Sequence, residues 1–246
     1  MKRFENKTIL ITGASSGIGL AGAKRLIEEG AHVIFTGRTE SHVQAAAAEL
    51  GDHATAVLDD VSDGNTLERI VPVVERAGAL DGVWLNAAYA AGGPLEEMDQ
   101  ATLDQIFKVN VVAPMIQMGA LSPYVKEGGS VLVTSSTAAY EGAPIVSAYA
   151  ATKAAILAAA RGWASELAPR NIRVNSLVPG PITSNLRSVL PDEMRAQFEE
   201  RLAEAVLLKR VGDAHEAAAV ALFLLSDEAS YVTGSSYTVD GGLIMQ

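Results

Sequence analysis

The 246-residue sequence predicts an α/β fold: a doubly wound parallel sheet of about seven strands with helices on both faces, in a single domain spanning 1–246. Three observations predict it. Short runs rich in Val, Ile and Leu alternate with stretches of helical periodicity, as expected for strands covered on both faces. The first run passes directly into a glycine-rich loop and a helix. Several later runs end in polar residues that a right-handed doubly wound topology gathers on one rim, at the carboxyl ends of the strands.

Strands are expected near residues 8–12, 32–36, 54–58, 82–85, 130–135, 173–178 and 236–239. The first leads into Gly13-Ala14-Ser15-Ser16-Gly17-Ile18-Gly19, after which Ile18, Ala21, Gly22, Arg25, Leu26 and Glu29 follow helical spacing and Gly30 supplies a stop. Strand, glycine loop and helix N-terminus make a cradle for phosphate: glycines turn tightly and let an anion approach backbone N–H groups, and the helix dipole favours it. The second strand ends in Gly37-Arg38 and the third in Asp59-Asp60, which suit a turn. The fourth runs into Asn86-Ala87-Ala88, and the fifth into Ser135-Ser136. Tyr149 and Lys153 stand four residues apart, so on a helix they share a face, and an ammonium beside a phenol favours the phenolate. The spacing alone is weak evidence; its surroundings give it weight.

Composition narrows the function. A net charge of −10 argues against nucleic acid as a partner. Apolar stretches such as Ala154–Ala160 fall well short of the roughly 20 residues of a membrane span. With no cysteine and no apolar core before the first strand, a cytoplasmic location is expected. The four histidines lack ligand-like spacing, so no metal is expected.

The ordered set of motifs resembles the short-chain dehydrogenase/reductase family over nearly the whole chain. Thr12 to Gly19 is similar to its Thr-Gly-x-x-x-Gly-x-Gly, Asp60-Val61 to its adenine-side pair, and Asn86-Ala87 to the middle of its Asn-Asn-Ala-Gly. Asn110, Ser136, Tyr149 and Lys153 match its catalytic tetrad. Pro179-Gly180-Pro181-Ile182-Thr183 matches its nicotinamide-side segment, and Val239-Asp240-Gly241-Gly242 its C-terminal signature. Leu85 and Ala88 depart from the pattern, where Asn and Gly are usual.

The resemblance implies a Rossmann-like, NAD(P)-dependent oxidoreductase. Cofactor contacts would come from Gly13, Ser15, Ser16, Gly17, Ile18, Gly19, Arg38, Asp60, Val61, Asn86, Ala87, Ala88, Tyr149, Lys153, Pro179, Gly180, Ile182 and Thr183. Tyr149 would be the general acid/base, Ser136 would bond the carbonyl oxygen, Lys153 would favour the phenolate and hold ribose, and Asn110 would hold a water linking Lys153 to solvent. Neighbouring Ser135 leaves the serine assignment open by one place. NADP(H) is favoured over NAD(H), because Gly37 occupies the place where NAD enzymes tend to put an acid and Arg38 can accept a 2′-phosphate.

A ketone and secondary-alcohol pair is the expected substrate class. An NAD-dependent sugar or alcohol dehydrogenase and a 3-oxoacyl reductase stand as alternatives, and a non-catalytic dinucleotide sensor as a more distant one. A substrate loop is expected over 181–210, with Leu186, Val189, Leu190, Met194 and Phe198 as an apolar lid and Tyr89, Thr137, Ala138, Tyr140 and Ile145 as further wall. The Ala-rich helix after Tyr149 and the one near 101–120 are expected to pack on their copies in a homotetramer, with a dimer as runner-up.

Overall fold

A computed structural model describes residues 2–183 and 200–245; the expected lid residues Leu186, Val189, Leu190, Met194 and Phe198 lie outside them. Seven strands form one parallel sheet: β1 (Thr8–Ile11), β2 (His32–Gly37), β3 (Ala54–Leu58), β4 (Leu80–Leu85), β5 (Val125–Thr134), β6 (Arg173–Pro179) and β7 (Ser236–Val239). Their order is β3-β2-β1-β4-β5-β6-β7. The chain builds outward from β1 to β3, then crosses back to place β4 on the other side of β1. The crevice of this fold therefore opens between the ends of β1 and β4.

Alternation along the strands sorts side chains to two cores. Ile9, Ile11, Phe35, Trp84, Leu132 and Leu177 face one way, under helices Gly17–Glu28, Glu40–Leu50 and Ala214–Leu225. Leu10, Ile34, Val83, Leu85, Val131 and Val174 face the other, under Thr66–Ala77, Ala113–Leu121 and Ser147–Leu167. Leu85 is thus a core residue, and an apolar side chain suits its position. Gly22 brings the first helix close to the sheet, since a Cβ there would lie 2.3 Å from the Trp84 ring.

Two elements differ from the sequence reading. β5 begins at Val125 rather than near 130, because Val125 pairs with Leu80 ahead of a register irregularity before Gly82 and Ser130. The expected helix near 101–120 is three pieces: Gln100–Phe107, a π-helical stretch Lys108–Val112, and Ala113–Leu121. Pro114 explains the interruption. It has no N–H to give the carbonyl of Asn110, four residues back, so the α-helical ladder is interrupted there.

Candidate active site at the carboxyl rim of the sheet

The rim is built from strand exits locked to one another. Gly13 follows β1 with φ +66°, and a Cβ there would stand 2.7 Å from Ala87 Cα, so this crossing of β1 and β4 accepts only glycine. The Thr12 hydroxyl accepts hydrogen bonds from the backbone N–H groups of Asn86 (3.0 Å) and Ala87 (3.1 Å). Asn86 Nδ2 donates to Gly13 O at 3.0 Å, and its Oδ1 accepts from Thr134 Oγ1 at 3.0 Å, which itself accepts from Trp84 Nε1 at 2.8 Å. Asn86 is thereby a clamp across three strand exits, and its side chain is spent on protein.

The residues present fit a dinucleotide. Helix Gly17–Glu28 starts at Ser16 with no side chain capping it and no acid in its first turn, which leaves N-terminal N–H groups and their partial positive charge open toward the Gly13–Gly19 loop. Arg38, just past β2, is exposed and makes no hydrogen bond or ion pair with any described residue. Gly37 is buried, and a Cβ on it would meet Ser15 Oγ at 2.6 Å. Beyond β3 the two acids divide. Asp59 is buried, bonded to Thr66 Oγ1 and Arg69 Nε at 2.8 Å each, rather than being a simple turn residue. Asp60 Oδ1 accepts from the N–H (2.9 Å) and hydroxyl (2.7 Å) of Ser62 in the turn that carries Val61.

Opposite this cradle, helix Ser147–Leu167 carries Tyr149 and Lys153 on one face. Lys153 is 2% exposed; its Nζ donates to Thr134 O at 3.0 Å and lies 5.6 Å from the Tyr149 ring centroid. Burial lowers the Lys153 pKa to about 8. Burial also raises the Tyr149 pKa, opposed by the influence of the Ser136 side chain. The sequence reading had the lysine making the phenol acidic. Here the ammonium lies 5.6 Å from the ring centroid, and desolvation is the larger influence on the phenol. Of the two serines, Ser135 gives its hydroxyl to Lys153 O at 2.9 Å, whereas Ser136 is the one whose side chain acts on the Tyr149 phenol.

Asn110, buried in the π-helical stretch, uses its side chain to join two elements of the protein. Its Oδ1 accepts from Tyr89 N (2.8 Å), and its Nδ2 donates to Tyr89 O (2.8 Å) and Thr152 Oγ1 (3.0 Å). It ties the loop after β4 to the tyrosine-bearing helix. Pro179 to Thr183 is anchored from behind: Thr137 N donates to Pro179 O (3.0 Å), Gly180 N to Val239 O (3.0 Å), and Thr183 N to Gly212 O (2.9 Å). Ile182 is buried and bridges to Gly212. Asp240 accepts from Gly242 N and Ile244 N at 2.9 Å each, so the C-terminal signature is a turn that supports this wall. Thr137 is buried and belongs to that support rather than to the pocket surface, while Tyr140 and Ile145 are exposed beside the opening of helix Ser147–Leu167.

Sequence reasoning named Thr12 only as the start of a motif and missed Thr134 and Thr152; the hydroxyls of all three are hubs of the site. Pro114, four residues after Asn110, was the available signal for the π-helical stretch. Among the described residues no group of His, Asp or Glu could hold a metal ion, and no helix is long and apolar enough to cross a membrane.

Comparison with known proteins agrees with this geometry. Residues 13–244 match the family model described as enoyl-(acyl carrier protein) reductase. An oxidoreductase of Sarocladium schorii is 37% identical over 99% of this chain and 98% of its own length. Dehydrogenase/reductase SDR family member 4 of Sus scrofa is 37% identical over 98% of this chain and 88% of its own. Among solved structures, a short-chain dehydrogenase/reductase from Serratia marcescens superimposes with a TM-score of 0.91 at 29% identity, covering 98% of this chain and 99% of that one. BdcA in complex with NADPH superimposes with 0.86 at 34% identity, covering 97% and 95%. With its parallel sheet, glycine cradle and Ser136–Tyr149–Lys153 cluster, the chain belongs to the short-chain dehydrogenase/reductase family of oxidoreductases.

Proposed function

We propose that the protein is an NADP(H)-preferring oxidoreductase that interconverts a ketone and a secondary alcohol, with Tyr149 as general acid/base. The observation that carries this reading is the convergence of Lys153 and Ser136 on Tyr149, with Lys153 Nζ 5.6 Å from the ring centroid and anchored on Thr134 O, and the Ser136 side chain acting on the phenol. The two hydroxyls can converge on one carbonyl oxygen, Ser136 stabilising the charge that develops there and Tyr149 giving it a proton. When bound, the nicotinamide supplies or accepts the hydride. Lys153, held by Thr134 O, keeps a positive charge beside the phenol ring and favours its ionised form in the alcohol-oxidising direction.

The cofactor would be held by the Gly13–Gly19 loop and the open N-terminus behind it, by the turn at Asp60-Val61, by Ala87 and Ala88, by Lys153, and by Pro179, Gly180, Ile182 and Thr183. Arg38, exposed and without a protein partner, supports NADP(H), because a cation there can meet a 2′-phosphate and no carboxylate ends β2 to repel one. BdcA, a 34% identical structure, is one seen with NADPH.

The exposed apolar side chains Phe107, Val112, Met115 and Ile116 support assembly through this helical region, with a homotetramer as the proposed state.

Tyr149→Phe tests the chemistry. Turnover of a ketone panel, followed by nicotinamide absorbance, should fall by about two to four orders of magnitude while NADPH affinity is kept. Near-normal turnover would reject Tyr149 as the proton donor. Reduction confined to enoyl thioesters, with every ketone inert, would reject the substrate class.

A further inference from the structure

A cavity of about 10 Å³ lies behind Lys153, lined by Thr12, Leu85, Asn110, Thr134, Gln117 and the lysine itself among others. That is about the room one water needs. Gln117, on helix Ala113–Leu121, is 1% exposed, and the orientation of its amide is fixed from a distance. The Asp59 carboxylate, paired with Arg69 at 2.8 Å, can only accept hydrogen bonds. Thr66 must therefore donate its hydroxyl proton to Asp59 Oδ2 (2.8 Å), and so accepts from Gln117 Nε2 (2.9 Å). The amide nitrogen is thereby turned toward Thr66, leaving Gln117 Oε1 an acceptor without a described partner at a cavity of mixed apolar and polar lining, where the carbonyl of Asn110 also lacks the N–H that Pro114 cannot give. Two donors share that cavity. Lys153 Nζ has one described acceptor, Thr134 O, for its three protons, and the Thr12 hydroxyl accepts from Asn86 and Ala87 while its own proton has no described acceptor.

We propose that Gln117 is a positioning residue for Lys153: its Oε1 fixes one water that accepts from Lys153 Nζ and Thr12 Oγ1. The negative end of an ordered chain, Arg69 to Asp59 to Thr66 to Gln117 to water, then faces the ammonium and favours its charged form. Burial alone disfavours that form. Among the described residues that line the cavity, Lys153 is the one charged group. Tyr149 is the titratable group in contact with Lys153. β1 and its exit, β4, β5 and the π-helical stretch present Thr12, Leu85, Thr134 and Asn110, none of which titrates, and Asp59 lies beyond Thr66.

The proposal rests on the role given to Lys153 beside Tyr149, and its test reads the lysine without turnover, so failure of one is told from failure of the other. In the cofactor-free protein, NMR titration of the Lys153 ε-carbon should show its pKa lowered by about one unit in Gln117→Met, which removes the acceptor at similar volume. The alkaline limb of ketone reduction should move down by the same amount with KM held. A folded Gln117→Met protein with an unshifted Lys153 pKa overturns the proposal, since a purely structural role would change melting temperature alone. Should the variant fail to fold, a high-resolution crystal structure of the wild-type protein decides. Water within about 3.2 Å of both Gln117 Oε1 and Lys153 Nζ supports it, and its absence there overturns it.

Discussion

Lys153 lies against the ring of Tyr149, its Nζ 5.6 Å from the centroid, and is held there by the carbonyl of Thr134 at 3.0 Å. The pair is therefore tied to the end of β5 as well as to its own helix. A buried cation held this way makes stability depend on pH. The Lys153 pKa falls from 10.5 in the unfolded chain to about 8 in the folded one, so between those values the unfolded state binds more protons. Stability from this group accordingly rises with pH across that window, and its desolvation cost is greatest below pH 8. Lys153→Met should be more stable than wild type at pH 7, and the difference should shrink by about 3 kcal/mol toward pH 10.5. Denaturant unfolding of both proteins at the two pH values checks this.

Arg38→Ala should weaken NADPH binding about tenfold, near 1.5 kcal/mol, and leave NADH almost unchanged. The low figure reflects the exposure of Arg38 to solvent. Fluorescence titration with both cofactors measures it, and equal losses for the two would reject Arg38 as the discriminator. Introducing an acid at Gly37 is a poor converse experiment, because the new Cβ would meet Ser15 Oγ at 2.6 Å and disturb the glycine loop itself.

Gly22→Ala should destabilise the protein by about 1 to 3 kcal/mol despite the better helix propensity of alanine, because its methyl group would strike the Trp84 ring. Chemical denaturation gives the answer. A neutral or stabilising result would mean that the helix Gly17–Glu28 can ride up from the sheet at little cost.

Ile145 holds φ +62°, a strained conformation for a β-branched residue, and is 61% exposed, so little burial offsets the strain. Its carbonyl accepts from Gly93 N at 2.8 Å, which pins the turn ahead of helix Ser147–Leu167 to the loop after β4. Ile145→Gly should relieve about 1 to 3 kcal/mol of strain against about 0.5 to 1 kcal/mol of added backbone entropy, a net gain near 1 kcal/mol in thermal unfolding. A loss would show that the side chain contributes packing that its exposure hides.

Much of this molecule was legible in the sequence because parallel strands buried on both faces leave plain apolar runs and because β1 runs without a break into its glycine loop. All seven strands were expected near where they lie. What escaped depends on contacts remote in sequence. Whether Ser135 or Ser136 meets Tyr149 turns on which side of β5's end each hydroxyl leaves, and helix Ser147–Leu167 decides that. That the side chain of Asn110 ties the loop at Tyr89 to the hydroxyl of Thr152 could not be read from its motif, since both partners lie far along the chain. The roles of Thr12, Thr134 and Gln117 rest on partners far along the chain, and nothing local marks a threonine or glutamine as a hub.

The anchoring of Pro179 and Gly180 has a consequence for biosynthesis. Thr137 reaches Pro179, and Gly180 in turn hangs from Val239. On the ribosome, Tyr149 and Lys153 emerge well before β7, the strand that steadies the facing wall. A nascent chain stopped near residue 230 would carry the reacting side chains without the wall opposite them. Activity should therefore switch on late, with docking of β7, rather than grow in step with chain length.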